Sequence, residues 1–381
     1  AKADVRAEGQ RALDWMAAHG RKGIVLAGRP YHVDPEIHHG IPGMIASYGL
    51  AVLTEDSLPL DPGAPRPLRA NDQWVYHSRM YSAAQFVSNR NDLELIQLNS
   101  FGCGLDAVTT DQLCEILEGA GKLYTVLKID EVSNLGAARI RVRSLLAAMR
   151  QREEKGLTAT GGAGAYQRVE YTAEMHRQGY TLLAPNMSPF HFDLLQPVFE
   201  KYGYHIVMVG NESQEVVETG LKFVNNDACY PSIITVGQLM SEVLSGRYDV
   251  NRLALVMTQT GGCCRASNYV GLIRRALAKA GLSQIPVISV NFNGMETNEG
   301  FKPGLPLLIS VGKALVLGDL LMKCLLRVRP YEVEAGSANA LAEQWKRRIC
   351  QVLTGKPLEA YFTSLLLSIT SPRGTVIRFQ R

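Results

Sequence analysis

The sequence lacks a strong charge imbalance and long apolar runs. Its 381 residues carry a formal net charge of only +4. Domains that bind nucleic acid usually carry a concentrated basic face, so we expect no nucleic-acid partner. The longest uninterrupted apolar run, from Leu305 to Gly312, is too short to cross a bilayer. We therefore expect no membrane partner.

Cysteine is sparse, and its spacing is not that of a disulfide framework or a zinc site. Seven cysteines, an odd number, argue against a secreted disulfide scaffold. No signal-peptide pattern opens the sequence, so we expect a protein of the reducing cytoplasm. The Cys-x-x-Cys spacing that is typical of structural zinc sites is absent too.

Two nucleotide-binding motifs are also missing. The turn after the first strand-like run lacks the Gly-x-Gly-x-x-Gly fingerprint of dinucleotide binding. The glycine-rich stretch from Thr160 to Ala165 lacks the Lys-Ser/Thr pair of a P-loop. We interpret residues 156–166 as a linker between two domains.

Strand-like apolar runs alternate with helical patterns along the chain. The runs cover residues 23–27, 51–54, 93–98, 123–129, 181–184, 205–209, 253–257 and 286–290. This alternation predicts an α/β fold with two doubly wound, mostly parallel, Rossmann-like sheets and helices on both faces. We place the first domain at 1–155, the second at 167–330 and a C-terminal helical extension at 331–381.

Three cysteines, Cys103, Cys229 and Cys264, lie in turns that come just before helical patterns. Backbone N–H groups and the helix dipole favour negative charge in such turns, so thiolates are stabilised there. The carboxyl ends of strands share one crevice in an open α/β sheet, and three such turns can converge on one object. Three thiolates suit an iron–sulfur cluster with one iron left open, in the crevice between the predicted domains. Ordinary buried thiols are the alternative.

The neighbours of these cysteines are candidates for contact with a cofactor. Glycine at 261 and 262 would let the backbone approach a bulky group closely. Cys263 is a neighbour of the ligands, a substitute for one of them or simply a tolerated residue. The candidate contact residues are Ser100, Gly102, Gly104, Gly261, Gly262 and Arg265.

A polar turn follows the first strand-like run and contains Arg29, His32 and Asp34. Such residues commonly cap helices and fill polar loops. Alternatively they line the crevice, where a histidine transfers protons near neutral pH. On that second interpretation the three are our candidate catalytic residues.

Five segments together resemble the 2-hydroxyacyl-CoA dehydratase family, and most closely its relatives within large fused proteins called CoA-substrate-specific enzyme activases. These segments span roughly residues 20–300. They are Gly28–Asp34, Ser100–Gly104, Lys128–Glu131, Asn226–Pro231 and Thr260–Tyr269.

The resemblance implies a cofactor and a partner. Members of the family hold one 4Fe-4S cluster per subunit with three cysteines, which correspond here to Cys103, Cys229 and Cys264. A separate ATP-hydrolysing iron–sulfur activase supplies a low-potential electron, and dehydratases then remove water from a 2-hydroxyacyl-CoA. A sister group, the double-cubane proteins, joins two such units through a sulfide into an 8Fe-9S group across a homodimer and reduces small substrates.

Two other functions stay open at this stage. The chain is a non-catalytic module of a larger activase-like protein that binds a cluster or a partner, or it is a cluster-free α/β domain that binds an acyl-CoA. Cys263 stands where the family usually has a glycine.

Overall fold

The computed structural model describes residues 1–61, 68–100, 105–129, 135–161, 166–210, 212–262, 264–291 and 296–355. Within these ranges the chain forms thirteen α-helices and eight β-strands. All eight strands belong to two four-stranded sheets, and every strand pair in them is parallel. The predicted α/β fold with two parallel sheets is confirmed.

The chain divides into two compact units. The first unit comprises Ala1–Arg168, Leu221–Ile233 and Gln259–Ala276, and the second comprises Val169–Gly220, Ile234–Thr258 and the chain from Leu277 onwards. The stretch 156–166, which we interpreted as a linker, lies within the first unit. Two segments that follow it in sequence return to the first unit, and they carry Cys229 and Cys264.

The first sheet has the strand order β2-β1-β3-β4. Its elements are α1 (Lys2–His19), β1 (Gly23–Ala27), α2 (Pro35–His38), α3 (Ile41–Ala46), β2 (Ala51–Thr54), α4 (Val75–Ser88), β3 (Leu93–Asn99), α5 (Asp106–Gly119), β4 (Tyr124–Lys128) and α6 (Gly136–Glu154). The chain runs from β1 to β2 on one side and then crosses to β3 on the other. The carboxyl ends of β1 and β3 therefore form the topological switch point, where open α/β sheets bind ligands.

Both faces of the first sheet are covered, as a doubly wound fold requires. All residues of β1 and β3 are buried. One core contains side chains of α1, α4 and α5, with Tyr81 and Met80 fully buried, and the other contains side chains of α3 and α6. Helix α1 ends at Gly20, whose φ of 59° is left-handed, a conformation that glycine adopts without steric cost.

The second sheet repeats this topology with the order β6-β5-β7-β8. The remaining elements are α7 (Ala173–Arg177), β5 (Thr181–Pro185), α8 (Pro189–Lys201), β6 (Ile206–Val209), α9 (Gln214–Phe223), α10 (Tyr230–Leu244), β7 (Leu253–Thr258), α11 (Tyr269–Lys279), β8 (Val287–Val290), α12 (Leu305–Val328) and α13 (Ser337–Gly355). Here the switch point lies between the carboxyl ends of β5 and β7.

Helix α12 is longer than the apolar run that the sequence analysis considered. With the 3₁₀ turn that follows it, it spans Leu305–Tyr331, and its mean hydropathy reaches 1.8. It is the one helix in the described part of the chain that is long and apolar enough to cross a membrane, by length and composition alone. Its inner face packs into the core of the second unit through Leu307, Ala314, Leu317, Leu321 and Leu325.

Candidate functional site

A buried histidine occupies the switch point of the first sheet. After β1 the chain forms a 3₁₀ turn, Pro30–Val33, in which His32 is only 1% exposed. A Cβ atom at Gly28 would lie 2.5 Å from Nδ1 of His32. Only glycine therefore allows the imidazole to pack against the end of the strand.

The hydrogen bonds of His32 define its tautomer. The Arg29 backbone N–H donates to Nδ1 at 2.9 Å, which leaves the ring proton on Nε2. Nε2 then donates to Oγ of Ser100 at 3.2 Å, and the Tyr31 hydroxyl lies 2.6 Å from the same Oγ. Burial lowers the pKa of His32 to about 4. The charge of Asp106 opposes this shift by raising the pKa, and the charge of Arg29 lowers it further. In this state His32 is neutral, and it holds Ser100 at the end of β3.

A carboxylate that the sequence analysis did not single out lies beside this histidine. Asp106, the first residue of α5, is buried and pairs with the Arg29 guanidinium through contacts of 3.0 and 3.2 Å. Nε2 of the buried His77 lies 3.3 Å from Oδ1 of Asp106. Nδ1 of His77 is buried and finds no hydrogen-bond partner in the described structure. Arg29, Asp106 and His77 thus form one polar cluster at the switch point.

Asp34, the third candidate catalytic residue of this turn, is not part of this polar cluster. Its side chain is exposed and accepts a hydrogen bond from the Glu36 backbone N–H at 2.9 Å. It is the N-cap residue of α2, where an aspartate satisfies a backbone donor of the first turn. The structure therefore brings Arg29 and His32 together and gives Asp34 a capping position apart from them.

Cys229 lies at the amino end of α10. Its carbonyl accepts from the Ser232 backbone N–H at 2.9 Å, and its Sγ lies 3.0 Å from the Tyr269 hydroxyl. Burial by itself would raise the pKa of the thiol. Hydrogen bonds from Tyr269 and from the backbone and side chain of Ser232, together with the charge of Arg265, outweigh it and lower the pKa. This position therefore favours a thiolate, as the sequence predicted.

Cys264 is exposed and begins the 3₁₀ turn Arg265–Asn268 that leads into α11. The preceding turn contains Gly261 at a φ of +71°, a conformation that residues with a side chain rarely adopt. The buried hydroxyl of Ser267 donates to the carbonyl of Gly262 at 3.0 Å. These contacts fix the backbone on both sides of Cys264.

Tyr269 links the two cysteines. Burial raises the pKa of its hydroxyl, and the hydrogen bond to Cys229 and the charges of Cys229 and Cys264 raise it further. The Cys229 sulfur is in hydrogen-bond contact with the phenol oxygen, the charge of Cys264 acts on the same group, and all three residues belong to the first compact unit.

The turn that carries Cys229 is bonded to α5. The Asn225 side-chain amide donates to the Ala107 carbonyl at 2.7 Å and to the Asp111 carboxylate at 2.8 Å. Lys128, at the end of β4, pairs with Asp227 at 2.9 Å. These contacts attach the Cys229 turn to the end of the first sheet at which Ser100 and Asp106 lie.

Comparison with known proteins gives a match over the first part of the chain. Residues 1–58 match the family described as CoA enzyme activase uncharacterised domain (DUF2229). No curated protein and no solved structure matches the chain. The match supports a relation to CoA enzyme activases over α1, β1, the Arg29–Asp34 turn and β2, and it reaches none of the cysteines.

Several predicted site residues lie outside the described residues, namely Gly102, Cys103, Gly104 and Cys263. Among the residues that the structure describes, no group of three or more His, Cys, Asp or Glu side chains is arranged to hold a metal ion. The predicted triad of sulfur ligands therefore has two members whose surroundings are known, Cys229 and Cys264.

The other described cysteines differ in their surroundings. Burial raises the pKa of Cys114 to about 12, and it also raises the pKa of Cys324 and of Cys350. Thiols of this kind stay protonated near neutral pH and are poor metal ligands and nucleophiles. Only Cys229 among these partly buried thiols has surroundings that lower its pKa.

Proposed function

We propose that this chain is an iron–sulfur protein of the 2-hydroxyacyl-CoA dehydratase type, with Cys103, Cys229 and Cys264 as its cluster ligands. The observation that supports this most directly is the arrangement around Tyr269. Its hydroxyl lies 3.0 Å from Cys229 Sγ, and the charge of Cys264 raises the pKa of that hydroxyl. Two cysteines 35 positions apart in sequence thus both act on one tyrosine, which supports their assignment to one site.

The donors fit such a cofactor. Iron–sulfur clusters are held by cysteine thiolates, and hydrogen bonds to the sulfur atoms tune their potential. Cys229 has these features, since it lies at the amino end of a fifteen-residue helix and its sulfur is hydrogen-bonded to the Tyr269 hydroxyl. Cys264 is exposed at the amino end of a second helical segment, where a ligand has access.

The described residues on either side of Cys103 also support the proposal. The chain enters the segment 101–104 from Ser100, which His32 and Tyr31 hold. It leaves that segment into α5, to which the Cys229 turn is bonded through Asn225. Residues next to Cys103 in sequence are therefore attached to residues next to Cys229.

The chain itself supplies binding and electrostatics. When bound, the cluster supplies one-electron chemistry at low potential. The Tyr269 hydroxyl lies 3.0 Å from the Cys229 sulfur, and this hydrogen bond, the Ser232 groups and the Arg265 charge lower the pKa of the thiol. The buried Asp106 carboxylate holds the Arg29 guanidinium and the His77 ring at the same end of the sheet. Arg29 is partly exposed there and is suited to an anionic group of a substrate.

The partners follow from the same proposal. An ATP-hydrolysing iron–sulfur activase donates the electron, and an acyl-CoA or a small molecule is the substrate. The chain acts as a homodimer, with either one 4Fe-4S cluster per chain or two clusters bridged into an 8Fe-9S group. A cytoplasmic, oxygen-poor setting suits this chemistry. The coarser relation to CoA enzyme activases rests on residues 1–58.

Anaerobic iron and sulfide analysis tests the ligand set. We expect Cys103→Ser, Cys229→Ser and Cys264→Ser each to lose most of the bound iron, because an alkoxide is a weaker iron ligand than a thiolate. The matched controls are Cys114→Ser, Cys324→Ser and Cys350→Ser, which should retain it. Full iron in the first three variants, or iron lost equally in all six, would contradict the assignment.

A second candidate function is a non-catalytic module of a larger activase-like protein. The match of residues 1–58 to an activase domain is the observation that favours it. ATP-dependent turnover of a 2-hydroxyacyl-CoA with a matching activase distinguishes the two. A chain that binds iron through the three cysteines but gives no turnover would be such a module.

A further inference from the structure

A serine, a histidine and an aspartate of the second unit are connected by hydrogen bonds away from the cysteines. Oγ of Ser188 lies 2.7 Å from Nδ1 of His191, and Nε2 of His191 lies 2.9 Å from Oδ1 of Asp319. Ser188 follows β5 at the switch point of the second sheet, where a ligand site is expected.

The direction of these hydrogen bonds is that of a nucleophile and its base. The Asp319 carboxylate only accepts, so Nε2 of His191 carries the ring proton and Nδ1 is left as an acceptor. The Ser188 hydroxyl then donates its proton to Nδ1. A serine bonded to a histidine that a carboxylate orients is the arrangement by which hydrolases activate a hydroxyl.

An ordinary helix cap does not account for Ser188. It holds the N-cap position of α8, where a serine side chain usually accepts from a backbone N–H of the first turn. Here its side chain makes no such bond. The hydroxyl is turned to His191 instead.

Close packing of α12 on α8 brings Asp319 to the histidine. A Cβ atom at Gly318 would lie 2.7 Å from Cδ2 of His191 and 2.9 Å from the Phe190 carbonyl oxygen. Glycine at this position therefore lets the backbone of α12 approach the ring, and the next residue is Asp319.

The surroundings suit an acyl substrate. Ser188 is half-buried, and the Asp319 side chain is 71% exposed, so the site lies at the surface, with the His191 ring 14% exposed between them. Helix α8 begins with Pro189, and its amino end favours the negative charge that develops on an attacked carbonyl oxygen. Leu315 and Val316, one turn before Asp319 on α12, are 41% and 60% exposed and offer an apolar surface.

We propose that Ser188, His191 and Asp319 form a hydrolytic site for activated acyl esters or thioesters with an apolar acyl chain. Ser188 Oγ attacks the acyl carbon while Nδ1 of His191 accepts the hydroxyl proton. The bond to the leaving alcohol or thiol breaks, and that group takes the proton from Nδ1. Water then attacks the acyl-serine and passes a proton to Nδ1. The carboxylic acid leaves, and Ser188 regains its proton.

Labelling with a fluorophosphonate probe tests the site on the full chain. We expect the probe to attach to Ser188, which peptide mass analysis locates. Ser188→Ala should remove the label, and Asp319→Asn should slow labelling roughly tenfold or more. Ser310→Ala is the matched control, since this α12 hydroxyl bonds to Tyr202 and the Pro306 carbonyl and has no histidine partner in the described structure. It should label at the original rate.

Hydrolysis of p-nitrophenyl esters tests the substrate class. The octanoate should react faster than the acetate, and Val316→Ser should reduce that preference. Label on another residue, no label on the folded chain, or unchanged ester hydrolysis in Ser188→Ala would overturn the proposal. The rates should be equal with and without bound iron, so the outcome is independent of the cluster.

Discussion

The two sheets share one topology and differ in what lies at their switch points. Both have four parallel strands in the same order, and both change winding direction between the two central strands. At the first switch point, Asp106 and His77 are 2% and 5% exposed in their side chains. At the second, the Asp319 side chain that pairs with His191 is 71% exposed. The repeated fold therefore does not repeat its chemistry, which belongs to the turns after the strands.

The difference in burial predicts a difference in stability. Breaking a buried charge pair lowers the stability of the fold strongly, because removal of one partner leaves the other charge buried without compensation. An exposed pair is screened by water and contributes little. The first switch point should thus be part of the folded framework, and the second should tolerate substitution.

The largest expected effect is that of Asp106→Ala. The variant leaves the Arg29 guanidinium and the buried His77 ring without their carboxylate, and we expect it to lose about 3 kcal/mol of stability. Urea unfolding, followed by circular dichroism, measures the loss. The matched variant is Asp319→Ala, for which we expect a loss below about 0.5 kcal/mol. Equal losses in the two variants would remove the distinction between the sites.

Glu55 extends the comparison to pH. It is 3% exposed in the first unit, and burial raises its pKa to about 7, against the Arg79 charge, which lowers it. The unfolded chain releases this proton near the ordinary glutamate pKa of 4.5, and the folded chain does so near 7. The raised pKa of Glu55 therefore stabilises the folded chain fully below pH 4.5. This contribution to the free energy of unfolding, up to about 3 kcal/mol, is lost as the pH rises to 7. Glu55→Gln should abolish this decrease in denaturant titrations at each pH.

For His32 we expect the opposite dependence of stability on pH over nearly the same pH range. Burial lowers its pKa from 6.5 to about 4. Between these pH values His32 is protonated in the unfolded chain and neutral in the folded chain. Stability from this group is complete above pH 6.5 and is lost as the pH falls to 4, again by about 3 kcal/mol. Unfolding of Glu55→Gln should show this rise with pH, and Glu55→Gln combined with His32→Gln should be flat. A rise that persists in the double variant would assign it to another group.

The regular elements were accessible from sequence because they follow a period. The predicted strands at 23–27, 93–98 and 253–257 correspond to Gly23–Ala27, Leu93–Asn99 and Leu253–Thr258. Buried parallel strands are continuous apolar runs, and amphipathic helices repeat every three or four residues. Neither signal depends on which other element lies nearby.

The polar clusters were less accessible because they depend on single pairings between distant positions. Asp106 meets Arg29 from 77 positions away, and Asp319 meets His191 from 128 positions away. Neither pairing corresponds to a periodic pattern in the sequence. Cys229 and Cys264 were singled out because a turn just before a helix is a local pattern; the turn of Cys264 follows β7, whereas that of Cys229 follows α9. Their common neighbour, Tyr269, was not singled out.

The smallest predicted effects concern two glycines of α12, and they test whether the second site depends on close packing. Gly318→Ala places a Cβ atom 2.7 Å from the His191 ring and 2.9 Å from a backbone oxygen, so the helix must move. We expect a loss of about 1–3 kcal/mol and slower labelling of Ser188. Gly312 has no atom within 4 Å of its Cβ position. Gly312→Ala should therefore raise stability by about 1 kcal/mol, because alanine favours the helix, and should leave labelling unchanged. Thermal unfolding and labelling rates of the two variants measure both effects. If Gly318→Ala were as well tolerated as Gly312→Ala, the approach of α12 would not be what holds Asp319 against the histidine.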